Sequence, residues 1–420
     1  MLEIEQRVLD TIDEDGLIEF LCDLIAIPSV GGQETEAQRH VASKLESLGF
    51  EVDTWELDFG ALRGHPSFSM SYEREEGLGV VGAMVGKGGG RSLIMNGHID
   101  VVSPGDETNW NYPPWRGTID DGRVYGRGAA DMKGGLCCAI FAAKALRDAG
   151  VRLKGKLIIE SVIGEEDGGV GALATLLRGY RADGAVIMEP TGLKLAPAHA
   201  GALCFRVTIQ GKSAHACVRE EGVSAIEKFI PIHEALRGLE AERNSNVGDP
   251  LYARYRLPYS INIGKVQGGN WPGTVAESLV LDGRLGVAVG EGVEEARRSL
   301  ERAVAQAARD DPWLRDHPPE VEWWGYQFDP ASIPVDHPIV VTVSSAFADA
   351  TGEAPAMEGM TYASDMRHLV NTGNTPTVLF GPGDVRNAHS PDEHVPVKEL
   401  MAATRTLALT AMRFCGYEEP

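Results

Sequence analysis

Three residues in the run from Asn96 to Gly135 have types and spacing that could hold a metal ion. His98 is followed two positions later by Asp100 within Asn-Gly-His-Ile-Asp-Val-Val-Ser-Pro. Asp131 stands in Tyr-Gly-Arg-Gly-Ala-Ala-Asp-Met-Lys-Gly-Gly. An imidazole and carboxylates converging in a glycine-rich setting are the donor types that bind a divalent cation. Alternation along a strand would put His98 and Asp100 on one face, so that the Asp100 carboxylate accepts the free ring N–H of His98 and fixes its tautomer.

These residues need elements to hold them together. The apolar segment Ser92 to Met95 reads as a strand leading into His98, and Lys156 to Ile163 as a buried strand ending in Gly-Glu-Glu-Asp-Gly-Gly. Gly184 to Met188 is a third strand, with Glu189-Pro190-Thr191 at its end. Thr377 to Phe380 is a fourth, running into Gly381-Pro382-Gly383 and then Asn387-Ala388-His389. Open α/β sheets gather their ligands at the carboxyl ends of parallel strands, so a parallel sheet would bring Glu165, Glu166, Glu189 and His389 to His98 and Asp131.

In this order, His98-x-Asp100, Asp131-Met132-Lys133-Gly134, Glu165-Glu166, Glu189-Pro190 and His389, the chain resembles peptidase family M20, and in particular its acetylornithine deacetylase and succinyl-diaminopimelate desuccinylase branch. The resemblance covers nearly the whole chain, and no residue of the set is substituted. It implies one metal held by His98, Asp131 and Glu189, a second held by Glu166, His389 and the same Asp131, Glu165 as general base, and Asp100 behind His98. It implies two divalent ions, zinc in the first place with cobalt as the alternative. Such ions sharing a carboxylate polarise a carbonyl and lower the pKa of a water, while a carboxylate that is not a ligand carries the proton to the leaving amine. Adjacent Glu165 and Glu166 suit that division, because neighbouring side chains point in different directions.

Taken singly, each of these residues has an ordinary reading. A histidine at a strand end is commonly structural, and Glu-Glu-Asp is commonly a solvated loop. Joint occurrence in order favours the site. The other histidines outside this set, His215 excepted, are assigned structural roles, and His394 in particular lacks the glycine-rich approach of His389.

The fold expected is α/β: a di-metal aminopeptidase-like catalytic domain, a mixed sheet flanked by helices, made of residues 1–198 and 331–420. Residues 199–330 form an insertion. Its element order, strand, helix, two strands, helix and strand, is the ferredoxin-like pattern, with a helix from Ser224 to Arg243 that Pro231 would kink. By the resemblance this insertion is a lid and dimerisation domain. His215, in Gly-Lys-Ser-Ala-His-Ala, would reach the partner's active site and stabilise an oxyanion, whereas the residue alone reads as a capping or turn histidine. Arg284 would bind a substrate carboxylate through its guanidinium fork, and Asn270 and Ser364 would line the substrate pocket. Met360, Tyr362 and Ala363 depart from the family's Gly-Thr-Ser-Asp type loop and leave the acyl preference open.

Composition bounds the partners. The chain has 420 residues, with 39 basic against 61 acidic side chains and a formal charge of −22, which argues against nucleic acid or an anionic membrane. No segment has the length and apolarity of a membrane span, and the start lacks a signal-peptide core, so a cytoplasmic location is expected. Six cysteines show neither metal nor disulfide spacing and are expected to be reduced. The function expected is hydrolysis of the N-acyl bond of an N-acyl amino acid or related amine by a homodimer. A dipeptidase or carboxypeptidase is the near alternative, and Glu189 by the resemblance favours acylase or carboxypeptidase members over the aminopeptidases. An inactive metal-binding scaffold is the distant one, and an intact Glu165 argues against it.

Overall fold

The computed structural model describes residues 1–418, which fall into two compact units: 1–198 with 332–358 and 364–418, and 199–331 with 359–363. Among the described residues no helix is long and apolar enough to cross a membrane.

The first unit is built on a mixed sheet. Glu51–Glu56 and Leu78–Met84 form an antiparallel margin; four parallel strands follow in the order Leu157–Val162, Leu93–His98, Gly184–Ile187 and Thr377–Leu379; beyond them Leu379 pairs antiparallel with Ala196. Every residue of the first three parallel strands is buried, as expected where both faces of a parallel sheet are covered. The covering helices include Gly134–Asp148 and Val170–Leu177, which link the parallel strands. All four parallel strands end on the same side of the sheet, so His98, the turn after Val162, the residues after Ile187 and the loop after Leu379 emerge together. Gly135 lets the helix start close against one of these exits, since a Cβ there would lie 2.1 Å from the Met188 carbonyl oxygen.

The second unit is a four-stranded antiparallel sheet ordered Ile261–Gly268, Ser278–Val287, Gly201–Gln210, Glu320–Phe328. Two helices, Ala225–Asn244 and Val293–Asp310, pack on one face: Phe205, Val207 and Ile209 point into a core with Ile232, Leu236, Leu300 and Val304. The intervening Cys204, Arg206 and Thr208 are only half-buried, and Arg206 pairs with Asp282 beneath Trp324 on that other face. This is the expected strand and helix order. The helix Ala225–Asn244 continues through Pro231 as one element.

The second unit also takes Gly359–Ala363, which the division drawn from sequence gave to the catalytic segment. The reason lies in side-chain contacts with its main chain: Tyr252 Oη donates to the Met360 carbonyl at 3.3 Å, and Arg284 Nη2 to that of Thr361 at 3.2 Å. Such anchoring has no signature in hydrophobic period.

Candidate metal centre

Asp131 lies between two imidazoles. Its Oδ1 is 3.1 Å from His98 Nε2, and its Oδ2 is 3.5 Å from His389 Nε2. His389 Nε2 is also 3.0 Å from Glu166 Oε1, and His98 Nε2 is 4.0 Å from Glu189 Oε1. Donor atoms of His98, Asp131 and Glu166 all fall within 4.8 Å of one another, and so do those of His98, Glu165 and Glu189. All six residues belong to the first unit.

Local backbone explains why these side chains converge. Asp131 sits in a bend ahead of the helix Gly134–Asp148, with Asp131 (φ −122°, ψ 94°) and Met132 (φ −134°, ψ 34°) outside helical geometry and a cis peptide between them. His389 adopts a left-handed conformation, φ 57°, which is sparsely populated for a side-chain-bearing residue. Glu165 and Glu166 occupy a tight turn closed by Gly169 N–H to the Gly164 carbonyl at 2.7 Å.

That turn is clamped from three sides. The Asp100 carboxylate accepts the amide N–H groups of Glu165 and Glu166 at 3.2 and 3.1 Å. Buried Arg74 binds both oxygens of Asp167, at 2.8 and 2.6 Å, and reaches Glu34 at 2.8 Å. Arg367 donates to the Gly168 carbonyl at 2.7 Å.

The Asp100 geometry corrects one expectation. The ring Nδ1–H of His98 donates to the main-chain carbonyl of Asp100 at 2.9 Å, while the carboxylate stands 3.7 Å away. The strand ends at His98, so strict alternation no longer governs Asp100, and its carboxylate turns to the two amides of the glutamate turn.

Charge is the dominant property of the centre. Burial and the charge of Glu189 push the Glu165 carboxyl well above the usual carboxylate range. Burial does the same to Glu189, against the pull of His98, with Asp131 reinforcing the rise. Glu166 is raised by burial and by Asp131. Burial also opposes ionisation of Asp131, but hydrogen bonds from His389 and His98 prevail and hold it low. The same bonds to Asp131 and Glu166 lift His389 to about 11. Four carboxyl groups against two imidazoles make an acid-rich donor set, and Glu189 Oε1 is buried without a hydrogen-bond partner. Oxygen and nitrogen donors without thiolate suit a hard or borderline divalent cation, so the residues fit a metal.

The remaining sequence-selected residues are placed as follows. Ser364 is fully buried, and its hydroxyl accepts the Met366 amide N–H at 3.3 Å. His215, Asn270 and Arg284 belong to the second unit. His215 is exposed and caps a short 3-10 turn, its Nδ1 accepting from Cys217 N–H at 3.1 Å. Asn270 Nδ2 donates to Glu277 at 3.2 Å, and half-buried Arg284 is held to Thr361 as described. Sequence reasoning missed Arg74, Glu34, Asp167 and Arg367. Arg74 lies in a charged stretch that reads as solvated surface, and Asp167 was absorbed into the acidic loop.

An α/β sheet with a carboxylate-rich divalent-metal centre at its parallel strand ends defines a metallohydrolase architecture. The chain belongs to peptidase family M20/M25/M40, whose profile matches residues 94–413, and it is a hydrolase of amide C–N bonds. It is 30% identical to the N-formyl-4-amino-5-aminomethyl-2-methylpyrimidine deformylase of Halalkalibacterium halodurans, over 99% of this chain and 98% of that protein. The protein of the same name from Bacillus subtilis is 28% identical, over 96% and 95%. Among solved structures, the dipeptidase Dug1p from Saccharomyces cerevisiae superposes with a TM-score of 0.77 at 15% identity, covering 99% of this chain and 98% of that one.

Asp100→Asn tests the corrected geometry. An amide at position 100 presents a donor to one of the two main-chain N–H groups, which should weaken metal binding or turnover by about 10- to 100-fold. Nitrogen-15 NMR should still show His98 protonated on Nδ1, because its acceptor is main chain. A change of tautomer would mean that the carboxylate is the acceptor.

Proposed function

We propose that the protein hydrolyses the N-acyl amide bond of a small amine or amino acid, releasing a carboxylate and a free amine, with two divalent ions at the centre described. The observation that carries this reading is Asp131, whose two oxygens face two different histidines, as a carboxylate shared by two ions requires. His98, Asp131 and Glu189 would hold one ion, and Glu166, His389 and Asp131 the other. Zinc is the first candidate and cobalt the second. When bound, the ions supply Lewis-acid polarisation of the carbonyl and acidify the attacking water.

The residues carry the rest. Glu165, raised by burial and by Glu189, takes a proton from the water as the new C–O bond forms, and returns it to the nitrogen as the C–N bond breaks. Asp100, Arg74 and Arg367 keep the turn that presents Glu165 in place. The full-length likeness to the two deformylases favours a formyl group as the acyl part, on the amino group of an aminomethyl-substituted heterocycle. Arg284 and Asn270 are proposed to contact substrate, and His215 to stabilise the oxyanion. For a substrate without a carboxylate the Arg284 fork would serve a ring nitrogen or carbonyl acceptor. The acidic chain and its free cysteines are consistent with a reducing cytoplasm.

A homodimer through the second unit is part of the proposal. Ile261–Gly268 is an edge strand with mostly exposed residues, and Ile226, Ile230, Val266 and Trp271 are exposed large apolar side chains of the same unit. Unpaired edges and apolar surface of this kind invite a second copy, in which His215 of one subunit would complete the site of the other. Wild type should be a dimer in light scattering and Ile230→Asp a folded monomer. A monomeric wild type would reject the dimer.

Glu165→Gln tests the reaction. It should retain two equivalents of metal and lose turnover by about 10²- to 10⁴-fold, measured on a panel of formyl, acetyl and succinyl amines, formyl-aminomethylpyrimidine and dipeptides. Near-wild-type turnover, or loss of a metal equivalent, would reject Glu165 as the base. Wild-type cleavage of dipeptides alone would replace the deacylase reading by a peptidase.

A further inference from the structure

The loop that carries His389 ends in Pro-Asp-Glu-His, and its glutamate is one of the few carboxylates with no exposure at all. Glu393 Oε1 accepts two main-chain N–H groups, from Ala130 at 3.0 Å and from Asp131 at 3.1 Å. Its Oε2 accepts from Nη1 of buried Arg127 at 2.5 Å. Arg127 in turn lies over the Trp110 ring, 5.1 Å from the centroid.

These contacts fall where the backbone needs them. Asp131 and Met132 depart from helical geometry, so the helix does not occupy the donors just ahead of the bend. A buried N–H left without an acceptor costs about 1–3 kcal/mol, and a single oxygen satisfies two of them. The main chain of Glu393 is fixed independently. Its carbonyl accepts from Gly126 N–H at 2.9 Å, the next residues pair as a strand with Arg123–Tyr125, and Asp392 accepts from Asn111 and Tyr112. Glu393 is therefore tied covalently to the His389 loop, and by hydrogen bonds to the segment that presents Asp131.

We propose that Glu393 is a positioning residue of the metal centre: its buried carboxylate, oriented by Arg127, sets the Asp131 bend against the His389 loop and so keeps the Asp131 carboxylate between His98 and His389. The proposal rests on the metal reading given above. It predicts that a change at Glu393, which is not among the proposed ligands, is felt by both ions together, because Asp131 is the residue they share.

The test uses full-length Glu393→Gln and Glu393→Asp. Glutamine has one oxygen and must give up either the two amides or Arg127; aspartate keeps the charge but is one methylene too short to span both. Each variant is compared with wild type in equilibrium dialysis against zinc and in the visible d–d absorption of the cobalt-loaded protein. Both should still take two equivalents, with half-saturation raised about 10- to 100-fold for both ions together and an altered cobalt spectrum. Glu5→Gln, which weakens a pair between buried Glu5 and half-buried Arg413 elsewhere in the unit, should lower the melting temperature without moving half-saturation. Wild-type affinity and spectrum in a folded Glu393 variant would overturn the proposal, as would a shift confined to one ion. Failure of both variants to fold even with metal present would make Glu393 a folding residue and overturn it as well. A wild-type protein that binds no metal would instead reject the parent reading.

Discussion

A carboxylate buried between two imidazoles, with three further carboxylates around it, is the constraint on which the rest of the first unit depends. Asp131 keeps its charge because His98 and His389 bond to it, while Glu165, Glu166 and Glu189 are raised by burial and by neighbouring carboxylates, Asp131 among them. Isolated buried charges of one sign are costly unless they are paired or coordinate a metal. The chain accommodates that cost at the ends of its parallel strands, where four segments distant in sequence emerge side by side.

Holding such groups close requires main-chain geometry that local propensity would not choose. The Asp131 bend and the tight Glu165–Glu166 turn are each stabilised by buried polar groups that do not belong to the proposed ligand set. Arg74 with Asp167 and Glu34 is the clearest case: removing one partner of such a buried pair costs about 3–5 kcal/mol, because the other charge is stranded. Asp100 acts in the same way through two amide bonds. Rigidity of this kind serves a reaction in which a proton must be carried between water and a leaving nitrogen, because misplacement of the carrier by an ångström can cost about 10²-fold in rate.

Much of this was legible in the sequence for identifiable reasons. The strands before His98, Glu165 and Glu189 are short apolar runs with β-branched residues, bounded by glycine, and their carboxyl ends are where an α/β sheet concentrates function. The insertion was legible because its residues alternate with period two and then 3.6 in a recognisable order. What was not legible depends on contacts between distant residues. Arg74 and Arg367 look like surface charges until the fold buries them, Glu393 looks like the tail of a polar loop, and the carboxylate of Asp100 was assigned to the wrong donor because the strand stops one turn of alternation early. The transfer of Gly359–Ala363 to the second unit rests on Tyr252 and Arg284, more than seventy residues away in sequence.

The central claim is that Asp131 is shared by two ions. X-ray absorption at the zinc edge on protein loaded with two equivalents tests it most directly. A shared Asp131 requires a zinc–zinc vector of about 3.5–4 Å, with nitrogen and oxygen neighbours and no sulfur. Binding of a single equivalent, or two zincs with no vector in that range, would contradict it.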